Sequence, residues 1–321
     1  MINKSGVLPS PIDIRDHAAV DILARVPKLP LSIRHDHKFK VRNQGMFGTC
    51  VGKAGSGVMS AFGEETGLER RKSSLFLYTR CKQLDGIPHL EGTYVRTALK
   101  VLHKEGICTH RTLPYKLLTD IHKLPKLTPR MFKEARRYRI ESYARADNYH
   151  DIKKALAKGY PTIAVILVDD NFIYYRDGVW GPAKPEFYGY HAIILCGYEP
   201  LIIRAVNSWG KSWGEEGFFW IRNVDLVRPT LIEAWIVEPK KKDNGGKKMF
   251  WTEKGFWVAL VGVAVPLLNH FLGWGLEAGM VIATILPAIA YILGVSWKDA
   301  EIEKAELAID LEMVRRGVYD E

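Results

Sequence analysis

NSWGKSWGEEGFF, residues 207–219, divides two runs rich in β-branched and aromatic residues, LIIRAVNSW (201–209) and GFFWI (217–221). Such runs, separated by glycine-marked turns, read as neighbouring antiparallel strands. Working upstream, HAIILCGY (191–198) and TIAVILV (162–168) have the same character, and downstream LIEAWIVE (231–238) closes the series. The preceding half of the chain has a different periodicity. DIKKALAKG (151–159) and TYVRTALKVLHKEG (93–106) place apolar residues at helical spacing and end on glycine. A glycine-marked turn at Asn43 to Gly48 leads into a helix starting near Cys50. Gly52, Gly55 and Gly57 in that helix each cost about 1 kcal/mol against alanine, so the helix belongs under close packing. A helical half followed by a strand half predicts an α+β domain over residues 29–239, preceded by a leader, residues 1–28, wrapped over its surface.

The chain has 321 residues, 47% hydrophobic and 26% charged, enough to bury a real core. Its four cysteines form no disulfide framework, and no pair has zinc-ligand spacing, so neither metal nor cofactor is expected. A reducing compartment follows. The N-terminus lacks the apolar run of a secretory signal. The net charge of +10 would suit an anionic partner, but basic residues around 111–145 are dispersed as on a solvated helical face, and no nucleic acid is expected.

Cys50 follows a glycine turn and opens a helix, whose N-terminus favours a thiolate. A nucleophilic thiolate needs an imidazole and a third group to orient it. His191 and Asn207, 16 residues apart at the edges of two strand-like runs, suit adjacent antiparallel strands. The backbone N–H of Cys50 and the side-chain amide of Gln44 are candidate donors to an oxyanion. Taken singly, each residue has an ordinary structural reading; the conjunction is what points to chemistry. Cys81, Cys108 and Cys196 have only structural readings.

These pieces, Gln44-Gly45, Gly48-Thr49-Cys50, Tyr190-His191-Ala192 and Asn207-Ser208-Trp209-Gly210 continuing to Phe219, resemble the papain and cathepsin family of cysteine peptidases. His191 follows Cys50 by 141 residues, within the window of that family. The resemblance implies a two-lobed fold, a Cys50–His191–Asn207 triad, Gln44 at the oxyanion and Trp209 shielding the triad from water. It places Gly92, Val165 and Ala192 at the substrate pocket. Phe47 stands where secreted members carry a disulfide cysteine, Val51 replaces an aromatic, Thr49 a smaller residue, and Glu91-Gly92-Thr93 stands where a glycine pair lines the cleft. These departures bear on substrate preference.

After a basic linker, residues 240–255, come FWVALVGVAVPLLNHFLG (256–273) and AGMVIATILPAIAYILGV (278–295). Eighteen residues of helix measure about 27 Å against a hydrocarbon core of about 30 Å, so residues 256–295 are expected to form a transmembrane hairpin. The linker lysines put the catalytic domain on the cytoplasmic side. Residues 296–321 then form an amphipathic helix. The hairpin loosely resembles holin-like proteins of bacteriophages, which suggests a bacterial or phage origin. The resulting expectation is a membrane-anchored cysteine endopeptidase whose partners are a peptide or protein substrate, membrane lipid and, through the hairpin, further copies of itself. Two alternatives stand beside it: a cell-wall peptide hydrolase of opposite topology, and an inactive binding module on a permeabilising hairpin.

Overall fold

The computed structural model describes residues 6–11, 13, 16–23, 29–66, 71–146, 148–181, 188–222, 231–240 and 270. In chain order the elements are β1 (Val7–Leu8), α1 (Ala19–Leu23), β2 (Ile33–Arg34), α2 (Cys50–Thr66), α3 (Ser74–Lys82), β3 (Thr93–Tyr94) and α4 (Val95–Lys104). There follow α5 (Pro129–Ala135), β4 (Ile140–Arg145), α6 (Tyr149–Ala157), β5 (Thr162–Val168) and α7 (Asp170–Ile173). The chain then turns to β6 (Val179–Trp180), β7 (Gly189–Tyr198), β8 (Ile202–Val206), β9 (Phe218–Arg222) and β10 (Leu231–Pro239). The chain divides into two units, Met1–Lys242 and Asp243–Glu321. Apart from His270, the described residues all belong to the first.

The strands β4-β10-β5-β7-β8-β9-β6 form one sheet in that order, with β2 on β7. Neighbours pair antiparallel except β6 with β9. Because side chains alternate along a strand, the continuous apolar run of β5 feeds two cores. Ile163 and Val165 join Cys50, Leu77 and Leu99 on the helical side. Ala164, Ile166 and Val168 join Ile152, Phe172 and Trp209 on the other. Trp235 and Val237 against Ala234 and Ile236 repeat the division in β10. A strand buried on both faces has no polar face to show, which is why TIAVILV carries no alternation.

Helix α2 lies between α3 and β7. An added Cβ at Gly52 would sit 2.7 Å from the Ser74 carbonyl oxygen, and one at Gly57 2.7 Å from Ile194 Cδ1. The glycines thus bring α3 and the sheet onto opposite sides of α2, as their helix-weakening cost implied. Ser73 caps α3, its Oγ accepting from Phe76 N–H at 3.0 Å while donating to the Leu113 carbonyl at 2.6 Å. The α+β, two-lobed expectation therefore describes the first unit.

The membrane reading requires correction. Among the described residues no helix is long and apolar enough to cross a membrane. The two stretches read as a hairpin, 256–273 and 278–295, lie outside the described residues except for His270, as do the amphipathic helix and all of the linker but Lys240. Apolar length is necessary for spanning, but it is met equally by helices buried in protein, and length and hydropathy were all that carried this reading. Membrane anchoring in either topology, lipid as a partner and oligomerisation through a hairpin are withdrawn.

Candidate active site

Strands β7 and β8 bring His191 and Asn207 together. The register pairs Ile194 with Val206, which puts Asn207, one residue past β8, diagonal to His191 on the same face. Asn207 Oδ1 accepts two hydrogen bonds, from the Ser208 backbone N–H at 2.7 Å and from His191 Nε2 at 2.7 Å. The backbone N–H can only donate, so it fixes which end of the amide is oxygen; that oxygen then fixes the hydrogen on Nε2. His191 Nδ1 is left with its lone pair, and it makes no hydrogen bond. This is the tautomer a general base needs.

An aromatic enclosure surrounds this pair. The Trp209 ring stands 4.9 Å from the His191 ring, and Phe172 stands 5.9 Å from His191 and 5.1 Å from Trp209. His191 is fully buried and Asn207 3% exposed. Burial presses the imidazole down to about 4, against the opposing Asn207 bond.

Cys50 is the first residue of α2 and is fully buried. Its sulfur faces the backbone N–H groups of Ala192, Gly6 and Val51, and Ala192 adjoins His191. Burial nevertheless pushes the thiol up to about 11, over the opposing N–H groups. The helix N-terminus expected to favour a thiolate is present, but desolvation outweighs it, so the pair rests as neutral thiol and neutral imidazole.

Gln44 joins the two halves. Its backbone N–H donates to the Ser208 carbonyl at 2.9 Å, and Asn43 bridges antiparallel to Trp209. Ser208 Oγ donates to Gln44 Oε1 at 2.7 Å, while Gln44 Nε2 donates to the Phe47 carbonyl at 2.9 Å. Tyr115 O–H donates to the Gln44 carbonyl at 2.7 Å, so the Thr49 hydroxyl, also at 2.7 Å, donates to the Tyr115 oxygen. Gln44, Cys50, His191 and Asn207 are thereby drawn from opposite halves of the unit. Of the pocket candidates, Val165 and Ala192 are cross-strand partners in β5 and β7, both buried, and Gly92 precedes β3 and packs against Gly6.

Among the described leader residues, those around Gly6 to Leu8 are inserted into the domain. β1 pairs parallel with β3, Val7 with Thr93 and Leu8 with Tyr94. Gly6 is wedged beside the thiol: a Cβ there would lie 2.0 Å from the Gly48 carbonyl carbon, and one at Gly92 would lie 2.8 Å from the Gly6 carbonyl carbon. Two latches hold the segment. Ser10 donates from its backbone N–H and hydroxyl to the Glu233 carboxylate at 3.2 and 3.0 Å, and Asp16 is paired with Arg96.

Phe172, Tyr115, Ser208 as a clamp on Gln44, and Gly6 were not singled out from sequence. Phe172 lies in a four-residue helix, too short for periodicity to register. Gly6 acquires its place only through contact with two distant glycines.

The family model described as papain family cysteine protease matches residues 32–229. An uncharacterized peptidase C1-like protein of Acanthamoeba polyphaga mimivirus is 28% identical over 219 residues, 61% of this chain and 68% of that protein. Cathepsin B-like CP3 of Giardia intestinalis is 39% identical over 93 residues, 27% of this chain and 30% of that one, so the chain spans about a third of that relative. Among solved structures, xylellain, a cysteine protease from Xylella fastidiosa, superposes with a TM-score of 0.66 at 24% identity, covering 75% of this chain and 98% of its own. proCathepsin B S9 from Trypanosoma congolense gives 0.59 at 18% identity, covering 74% and 87%. These two likenesses carry the fold. Relatives in a giant virus, a protist and a bacterium give no ground for the bacterial or phage origin expected above, which is withdrawn. With the family model covering more than half of it, the chain belongs to the papain family of cysteine proteases.

Proposed function

We propose that the chain hydrolyses peptide bonds, with Cys50 as nucleophile, His191 as base and acid, Asn207 as the group orienting His191, and Gln44 with the Cys50 N–H at the oxyanion. The observation that supports this most is the tautomer set at Asn207: Nε2–H committed to Oδ1 and the Nδ1 lone pair left for the thiol proton. His191 Nδ1 takes the proton from Cys50 as the sulfur bonds to the substrate carbonyl carbon. The oxygen gains charge opposite the Gln44 amide and the Cys50 N–H. The imidazolium then protonates the leaving amine, and water, deprotonated by Nδ1, cleaves the thioester and restores the thiol. The substrate class is peptide or protein.

With Gly6 wedged between Gly48 and Gly92, a substrate must displace the leader to reach the sulfur. Its departure would admit water, relieve the desolvation that holds both groups neutral, and let the proton pass from sulfur to imidazole.

Iodoacetamide labelling of the purified chain, read by mass spectrometry, tests the assignment. All four thiols are free and buried, so exposure favours none of them. Cys50 should react at least about ten-fold faster than Cys81, Cys108 or Cys196, in keeping with thiolate control of reactivity, and His191→Ala should abolish the difference. Equal rates indifferent to His191 would remove the triad reading.

A further inference from the structure

A concavity of about 930 Å³, lined by Lys53 of α2 and by none of Gln44, Cys50, His191 and Asn207, is not used by the peptidase chemistry. Its wall is formed by the segment leading to Gln44, one face of α2, the residues before α3 and the loop at 110–116. Seven lysine and arginine side chains and His110 line it, and among the described residues no carboxylate does. Arg111 and Lys116 are exposed, as a solvated face requires, and they line the same cavity as Lys53 and Arg42.

The innermost charges are held by neutral groups. Lys53 is 5% exposed, with its Nζ 2.9 Å from the centre of the Tyr115 ring. Arg42 donates from Nη2 to the Ser56 carbonyl at 3.2 Å and to Ser60 Oγ at 2.6 Å, and its buried Nε makes no hydrogen bond. Elsewhere in the unit buried cations meet carboxylates: Arg204 pairs with Asp36 at 3.1 Å and Glu215 at 2.5 Å, and Arg96 with Asp16. An enclosed cation with no counter-charge is costly. That cost is visible in Lys53, which burial, then Arg42 and Arg71, press down to about 6.

We propose that this cavity binds a small molecule carrying two or more phosphate groups, with Lys53 and Arg42 at its floor and Arg71 and Arg111 at its rim. Multiple phosphates match the number of cations, and the volume is that of a small-molecule pocket rather than of a single ion. Arginine and lysine without competing carboxylates are the groups that recognise phosphoryl oxygens. The site does not depend on the catalytic assignments, although Tyr115, which covers Lys53, also holds Gln44 and Thr49.

Calorimetry on the full chain with inorganic pyrophosphate, inorganic phosphate and triglutamate tests this. Pyrophosphate should bind one to one, at least about ten-fold more tightly than phosphate or triglutamate. Lys53→Met and the exposed pair Arg71→Ser/Arg111→Ser should each weaken it at least about ten-fold; the surface pair keeps the test valid if the buried substitution fails to fold. The charged and titratable groups facing Lys53 are Arg42, Arg71, His110 and Tyr115. Because pyrophosphate itself sheds a proton among cations, the readout is the difference between proteins: net proton uptake at pH 8, measured in buffers of different ionisation enthalpy, should be higher by up to about one per site in the wild type than in Lys53→Met, which would place the anion at Lys53. The proposal is overturned by absence of saturable pyrophosphate binding, by triglutamate binding as tightly, by affinity unchanged in both variants, or by a proton balance that is the same in the wild type and in Lys53→Met.

Discussion

Residues 50 and 53 are one turn apart on the same helix and face two differently built regions. Cys50 lies in the apolar core of the helical side, its sulfur against the backbone of Ala192 and of the inserted leader; Lys53 lies on the wall of an open basic cavity. Both groups are buried, and among the described residues neither has an opposite charge beside it. On the catalytic side desolvation is met by keeping the proton where both partners are neutral, and Asn207 orients the imidazole without adding charge. On the cavity side several cations are concentrated with no carboxylate among the described lining residues, so that an added anion would balance them. One region is poised by the removal of something, the leader; the other by an addition.

The largest expected effect breaks the catalytic side. Asn207→Ala frees the His191 ring and its tautomer while sparing Cys50. A loss of about 10²-fold in kcat on a peptide substrate is expected, the scale of general acid–base assistance. Unchanged turnover would mean that the enclosure alone orients the imidazole, and the contrast between a positioned and an unpositioned buried group would fail.

A smaller effect of opposite sign sharpens the comparison. Gly6→Val cannot be accommodated against Gly48, where even a Cβ would lie 2.0 Å from the carbonyl carbon. Expelling the leader should raise both kcat/KM and Cys50 alkylation by about ten-fold, equivalent to about 1.4 kcal/mol of leader binding. A fall in melting temperature without gain in either rate would make the leader a structural strand rather than a plug.

This division follows how much of the molecule the sequence discloses. The catalytic groups are legible because each lies at a turn or element end with a distinctive local neighbourhood, and their order along the chain constrains them together. The strands from 162 to 238 are legible because apolar runs of that length, bounded by turns, have few other uses. Gly6, Phe172 and the Lys53 cavity are not legible: each is created by segments distant in sequence meeting in space. Arg42, Lys53, Arg71 and Arg111 come from four separate stretches, and nothing in any one of them distinguishes a cavity wall from a wet surface. The apolar stretches near the C-terminus show the reverse failure, in which length and hydropathy suggested a membrane with nothing independent to test it.

The smallest effect is in the pH dependence of stability, and here the two buried residues of α2 differ in sign. His191 is held at about 4, below its ordinary 6.5, so between those values the unfolded chain binds the extra proton and stability falls as pH drops through that window. Cys50 is held at about 11, above its ordinary 9.0, so the folded chain retains a proton that the unfolded chain loses, and stability falls as pH rises from 9 to 11. Lys53, held at about 6 against 10.5, has its full penalty below 6 and sheds it as pH rises through that interval. Melting temperatures of the wild type and Lys53→Met should therefore differ most near pH 6, with the variant higher, and converge toward pH 10. Pyrophosphate should narrow that gap by supplying the missing counter-charge. A gap independent of pH would assign the effect of Lys53→Met to packing against Tyr115, and the two sides of α2 would then differ in shape but not in how they handle charge.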